Sequence, residues 1–254
     1  MIKLEHFSYQ YGAHRAVDDI SFELKKGELA ALIGPNGAGK STTMKVLTTL
    51  LRPCAGKVTV AGYDVVQEPM KVRKNLGYLP ETNPLYTDML VYDALQSIAA
   101  QRLIPRGERK DAIARCAQQC GIVEVMHRPI QTLSRGYRQR VGLAQAILHQ
   151  PEVLILDEAT TGLDPNQIRE IRDLIVDIGK DRTVLMSTHI LQEVTAIAKR
   201  VIILNHGKIA CDGEITSLLA DLAQTLGRDD VTLEDLFVYY TKEGKSSHVA
   251  DLSA

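Results

Sequence analysis

Gly34-Pro35-Asn36-Gly37-Ala38-Gly39-Lys40-Ser41-Thr42 matches the spacing GxxxxGK[ST], whose chemistry is the binding of phosphate. Gly37 and Gly39 allow the backbone to curl so that successive N–H groups face one phosphate. A helix starting at the end of the loop adds the positive end of its dipole. Lys40 brings a point charge to the β- and γ-phosphates, and the Ser41 hydroxyl is a ligand for Mg2+. A second group follows the apolar run Val153–Leu156, where Asp157 and Glu158 stand at what reads as the C-terminal end of a buried strand. Asp157 suits the acid that holds Mg2+, commonly through water, and Glu158 suits the base that polarises an attacking water. By itself an Asp-Glu pair also serves to cap a turn; beside a phosphate loop it reads as chemistry.

These residues need strands and helices to position them. Leu29–Ile33 is a continuous apolar run ending at Gly34, as a buried core strand would be. A helix is expected from about Lys40, with Met44, Leu47 and Leu51 spaced along one face. Ile2 and Leu4, then Ile20, Phe22 and Leu24, alternate as strands of an antiparallel N-terminal layer. Residues from about 82 to 150 carry helical spacing, and strand–helix alternation returns after Pro151 with strands near 153–157, 183–187 and 201–205. The fold class is α/β: a P-loop NTPase core with a mostly parallel sheet, an N-terminal antiparallel β layer and a helical insertion. Residues 1–242 read as one domain, with 243–254 a loose, small and polar tail.

Composition narrows the rest. A net charge of -1 carries no basic excess for nucleic acid. Four cysteines without CxxC pairing suggest reduced thiols rather than a disulfide framework or metal site. No apolar run approaches the 18 or so residues that span a bilayer, and Met1–Ser8 has no signal-peptide character. A cytoplasmic protein is expected, whose membrane role, if any, comes through a partner.

Thr132-Leu133-Ser134-Arg135-Gly136-Tyr137-Arg138-Gln139-Arg140 resembles the signature of the ABC (ATP-binding cassette) family, usually Leu-Ser-Gly-Gly-Gln followed by Gln-Arg. The order of motifs is also similar: phosphate loop, signature, acidic strand end, Gly162-Leu163-Asp164-Pro165 as the D-loop, and Ser187-Thr188-His189 with the switch histidine. The resemblance covers nearly the whole chain. It implies that ATP and Mg2+ are the ligands, that Lys40, Glu158 and His189 are catalytic, and that His189 meets the γ-phosphate and the water. It further implies that Tyr11 stacks on adenine, with Tyr9 its neighbour, that Ser134 and the Gly136 backbone approach the γ-phosphate bound by a second, head-to-tail copy, and that the D-loop Asp164 is among the nucleotide-binding residues. Glu81, in Gly77-Tyr-Leu-Pro-Glu81, takes the place of the usual Q-loop Gln and joins Ser41 and Asp157 toward the metal. Arg135 and Tyr137 replace a Gly and the Gln of the common signature, and Ala159 stands where Pro is usual. These departures, with the ending Leu233-Glu-Asp-Leu-Phe237, resemble an exporter subgroup that includes gliding-motility and copper-processing ATPases.

The function implied is the ATP-hydrolysing subunit of a transporter, which drives substrate across the membrane, in the export direction, through a separate integral-membrane partner, and works from the inner face of the cell membrane. The apolar and aromatic segment Asn83–Tyr92 is the expected receiving surface. The alternative is a non-transport ABC ATPase acting on nucleic acid or ribosomes, which usually carries long insertions or two cassettes; here there is one cassette and a short insertion. A GTPase would carry Asn-Lys-x-Asp, which this chain lacks. A binding protein without hydrolysis would not need Lys40, Asp157, Glu158 and His189 together.

Overall fold

The computed structural model describes residues 1–242; the tail expected at 243–254 lies outside them. In the N-terminal layer β1 (Ile2–Tyr11) pairs antiparallel with β2 (His14–Leu24), placing Leu4 opposite Phe22 and Ile2 opposite Leu24. Over Ile2–Leu4 and Ile20–Leu24 every second side chain is buried, as the alternation requires, and register shifts beyond Leu4 break the pattern in the rest of β1. β3 (Leu29–Ile33) leads through the phosphate loop into α1 (Lys40–Leu47). The helix is shorter than the spacing of Met44, Leu47 and Leu51 suggests. The Thr48 hydroxyl donates to the Met44 carbonyl at 2.9 Å, Thr49 turns left-handed at φ 63°, and the Leu50 and Leu51 N–H groups both return to the Lys45 carbonyl. Leu51 lies beyond this stop yet still packs against the same core.

β4 (Ala55–Val60) and β5 (Tyr63–Asp64) complete a four-stranded sheet in the order β2-β1-β4-β5. α2 (Pro69–Asn75) and β6 (Leu76–Leu79) follow. The expected helical stretch begins later than residue 82: a turn closed from the Leu85 N–H to the Asn83 carbonyl precedes it, and α3 (Val91–Gln101) is the first helix. α4 (Arg109–Gln119) and α5 (Arg135–Ile147) pack with it between β6 and β7 (Val153–Asp157). The chain then alternates α6 (Pro165–Gly179), β8 (Thr183–Ser187), α7 (Leu191–Ile197), β9 (Arg200–Asn205) and β10 (Lys208–Glu214), ending in α8 (Ile215–Leu226) and α9 (Leu233–Thr241).

The large sheet runs β10-β9-β3-β8-β7-β6, parallel except for β10. Its central strands β3, β7 and β8 are almost wholly buried and mostly apolar because each face meets a different core. Ala30, Leu32, Ile155 and Leu185 pack toward the N-terminal sheet and α1. Ala31, Ile33, Leu156, Val184 and Met186 pack among α3 to α9. Each fully buried Leu or Ile adds roughly 1.5–3 kcal/mol over exposure. Because β3, β8 and β7 are neighbours and parallel, the chain segments leaving their C-terminal ends emerge side by side.

Candidate nucleotide site

From β3 the chain enters the loop 34–39, closed by the Ala38 N–H donating to the Pro35 carbonyl at 3.1 Å. Gly39, at the N-cap of α1, has φ 104°, and its α-carbon lies so near the Ala16 carbonyl that an added Cβ would sit 2.6 Å from that oxygen. Only glycine meets both conditions. Lys40 is buried, and its Nζ donates to the Gly34 and Pro35 carbonyls at 2.7 and 3.1 Å, which keeps the ammonium within the loop. Burial lowers its pKa, while Glu158 and Asp157 act in the opposite direction.

From β7 come the acids. Asp157 is 3% exposed and accepts a short hydrogen bond from the Ser187 hydroxyl on β8. Burial raises its pKa; the Ser187 bond opposes this and neighbouring Glu158 adds to it. Glu158 takes a left-handed backbone, φ 51°, uncommon outside glycine and costing on the order of 1 kcal/mol or more. Its N–H donates to the Ser187 carbonyl at 3.1 Å. Its carboxylate Oε2 accepts from the Thr161 hydroxyl at 2.8 Å and faces His189 Nδ1 at 2.8 Å. A neutral His189 donating through Nδ1 presents Nε2 as an acceptor.

Loop, acid and histidine line one open hollow of about 730 Å³. Gly34, Pro35, Asn36, Gly37, Ala38, Gly39, Lys40, Ser41, Thr42, Glu81, Glu158, His189 and Tyr11 all border it. Tyr11 is 47% exposed and meets Tyr9 edge-to-face with ring centroids 4.9 Å apart, and of the two only Tyr11 reaches the hollow. Asp157 stands buried and does not line it. Ser134, Gly136 and Asp164 are not brought to it either. Ser134 caps α5, accepting from the Tyr137 N–H at 3.3 Å; Asp164 caps α6, accepting from the Asn166 and Gln167 N–H groups at 3.0 Å each.

Seven wall residues lie outside the expected set: His14, Ala16, Ile33, Thr161, Thr188, Leu191 and Phe237. Thr161 and Thr188 carried a local signal, being three residues past Glu158 and one before His189. His14, three residues past Tyr11 and paired with it across the β1–β2 turn, was equally local, whereas Phe237 was not, since the packing of α9 brings it from the far end of the chain.

The ABC transporter family model matches residues 17–161, more than half of the chain. The chain belongs to the ABC transporter family. It is 37% identical to an uncharacterized ABC transporter ATP-binding protein, YhcH, of Bacillus subtilis, over 82% of this chain and 68% of that one. It is 33% identical to the linearmycin resistance ATP-binding protein LnrL of the same organism, over 91% of this chain and 73% of that one. Among solved structures, an ATP-binding subunit of an ABC transporter superposes with a TM-score of 0.83 at 28% identity, covering 95% of this chain and all of that one. Membership makes this ABC chain an ATP-binding, ATP-hydrolysing subunit of a transporter. Among its described residues no helix is long and apolar enough to cross a membrane.

Proposed function

We propose that ATP lies in the hollow with its phosphates on residues 34–42 and its adenine against Tyr11, and that Glu158 is the base that activates water. The observation carrying this reading is that Glu158, fixed by both Thr161 and His189, faces the same hollow as Lys40. His189 orients the carboxylate through Nδ1 and offers Nε2 to the γ-phosphate or the water. Lys40 neutralises charge developing on the phosphates. Mg2+ fits the residues present: Ser41 and Glu81 on the wall are hard oxygen donors, and buried Asp157 is an acid whose raised pKa a cation would bring down. When bound, the ion supplies charge neutralisation across the phosphates.

Glu158→Gln is expected to retain ATP binding and lose turnover by ~10²–10⁴-fold. Hydrolysis within a few-fold of the unaltered protein would remove Glu158 from the role of base. In the same assay chelation of divalent ions is expected to stop turnover. Asp157→Asn is expected to weaken binding of ATP with Mg2+ while sparing metal-free ATP.

We read residues 1–242 as one ATPase domain with its helical insertion at about 82–150. In this proposal the chain works on the inner face of the cell membrane, driving a separate integral-membrane subunit, with export the direction that relatives such as the linearmycin resistance protein support. A second, head-to-tail copy supplies Ser134, Gly136 and Asp164, which stand outside the hollow of their own chain.

A further inference from the structure

The turn that carries Glu158 is an awkward one. Glu158 and Gly162 both have left-handed backbones, at φ 51° and 71°, a conformation that is strained for Glu158 and free of steric cost for the glycine. The turn's internal bonds are the Thr161 N–H to the Glu158 carbonyl at 3.1 Å and the Leu163 N–H to the Thr160 carbonyl at 3.2 Å. Strained backbone persists only where its surroundings hold it. The beginning of α5 supplies that hold at three points. Gln139 Nε2 donates to the Ala159 carbonyl at 2.6 Å. The Gln167 side chain, one turn into α6, lies against Gly136, where an added Cβ would sit 3.1 Å from its Cδ. The Arg135 guanidinium, exposed on its outer side like Gly162 itself, lies against Gly162: its Cζ and both terminal nitrogens occupy the space a Cβ at Gly162 would enter.

We propose that Arg135 is a positioning residue for hydrolysis, which clamps Gly162 and thereby keeps the 158–164 turn, with Glu158 at its head, in the shape that faces Lys40. Its chemistry suits the task. A planar guanidinium lies flat on a bare peptide, which the compact ammonium of lysine does not. Among the described residues the Arg135 side chain makes no hydrogen bond or ion pair, so packing on Gly162 is what places its head group. Gly162 is the matching surface, since its missing side chain leaves room for the guanidinium. Signature helix and hydrolytic turn then move together within one subunit.

The catalytic half of this rests on Glu158 being the base; the clamp itself does not. The experiment follows amide hydrogen exchange over residues 159–163 in nucleotide-free protein, together with kcat and the ATP dissociation constant, for Arg135→Ala, Arg135→Lys, Gly162→Ala and Arg135→Ala with Gly162→Ala. Arg135→Ala is expected to speed exchange in the turn by roughly threefold or more, leave α1 unchanged, and lower kcat without weakening ATP binding. Arg135→Lys should recover little. Gly162→Ala displaces the guanidinium, so the double substitution should lose less than the product of the two single losses. Unchanged exchange in Arg135→Ala, or losses that multiply independently, would overturn the clamp. Faster exchange with unchanged kcat would keep the contact and overturn its part in hydrolysis. If Glu158→Gln retained turnover, the base assignment would fall and the exchange comparison would still decide the clamp.

Discussion

At the scale of single residues, the site holds its groups in states that water would not favour. Asp157 is buried with a raised pKa, Lys40 is buried with a lowered one, and each is answered by near neighbours. His149 shows the same physics away from the hollow. Its Nε2 donates to the Leu76 carbonyl at 3.0 Å, while Nδ1 is buried without a partner among the described residues. A proton on Nδ1 would be a buried charge with no acceptor. Burial, with help from the Arg102 charge, lowers the His149 pKa to about 4. The unfolded chain takes up a proton near pH 6.5 and the folded chain does not, so this contribution is full above pH 6.5 and drains as pH falls toward 4. Its size is on the order of 3 kcal/mol. Denaturant unfolding at pH 7 and pH 4.5 should show a smaller acid loss for His149→Gln, whose amide keeps a donor for Leu76. Equal losses in both proteins would assign the acid sensitivity elsewhere.

At the scale of elements, helix ends decide what the hollow contains. α1 starts at Lys40 because Gly39 turns the chain there, and its first N–H groups point back along the phosphate loop. α6 starts at Asp164, whose carboxylate caps two N–H groups, with Pro165 at the first helical position. That cap is structural whatever the residue does for a second copy. Asp164→Ala should lower unfolding stability by about 1 kcal/mol, and Asp164→Asn, which also caps, should restore most of it. If Ala and Asn behaved alike in unfolding, capping would not be the reason for Asp at this place. The stretch expected to be mostly helical from about residue 82 has no helix before Val91. Leu85, Met89 and Tyr92 pack partly against the core, while Tyr86 is 67% exposed. Of the apolar cluster that suggested a docking surface, Tyr86 is therefore the residue most open to a partner.

At the scale of the whole molecule, the proposed work is shared between chains. With Ser134, Gly136 and Asp164 outside the hollow, hydrolysis per subunit is expected to rise with protein concentration as copies pair. Flat specific activity from a chain shown by light scattering to be monomeric would mean that one copy suffices. The membrane subunit is tested separately. Tyr86→Glu should reduce recovery of the chain with its membrane partner while leaving ATP binding intact, because a charge would be buried at the contact. Recovery equal to the unaltered protein would move the docking surface away from residues 83–92.

The phosphate loop, the acids after Val153–Leu156 and the signature were legible in the residues because their chemistry depends on neighbours in the chain. The same holds for the buried strands, whose apolar runs follow from having a core on each face. Strand order was not legible. Only the placement of β3 beside β8 and β8 beside β7 brings Lys40, His189 and Glu158 to one hollow, across nearly 150 residues of chain. Placing Phe237 on the wall and setting Arg135 against Gly162 were likewise decided by tertiary packing. Local spacing determines which groups a segment can offer; which groups meet depends on long-range pairing, which no local pattern encodes.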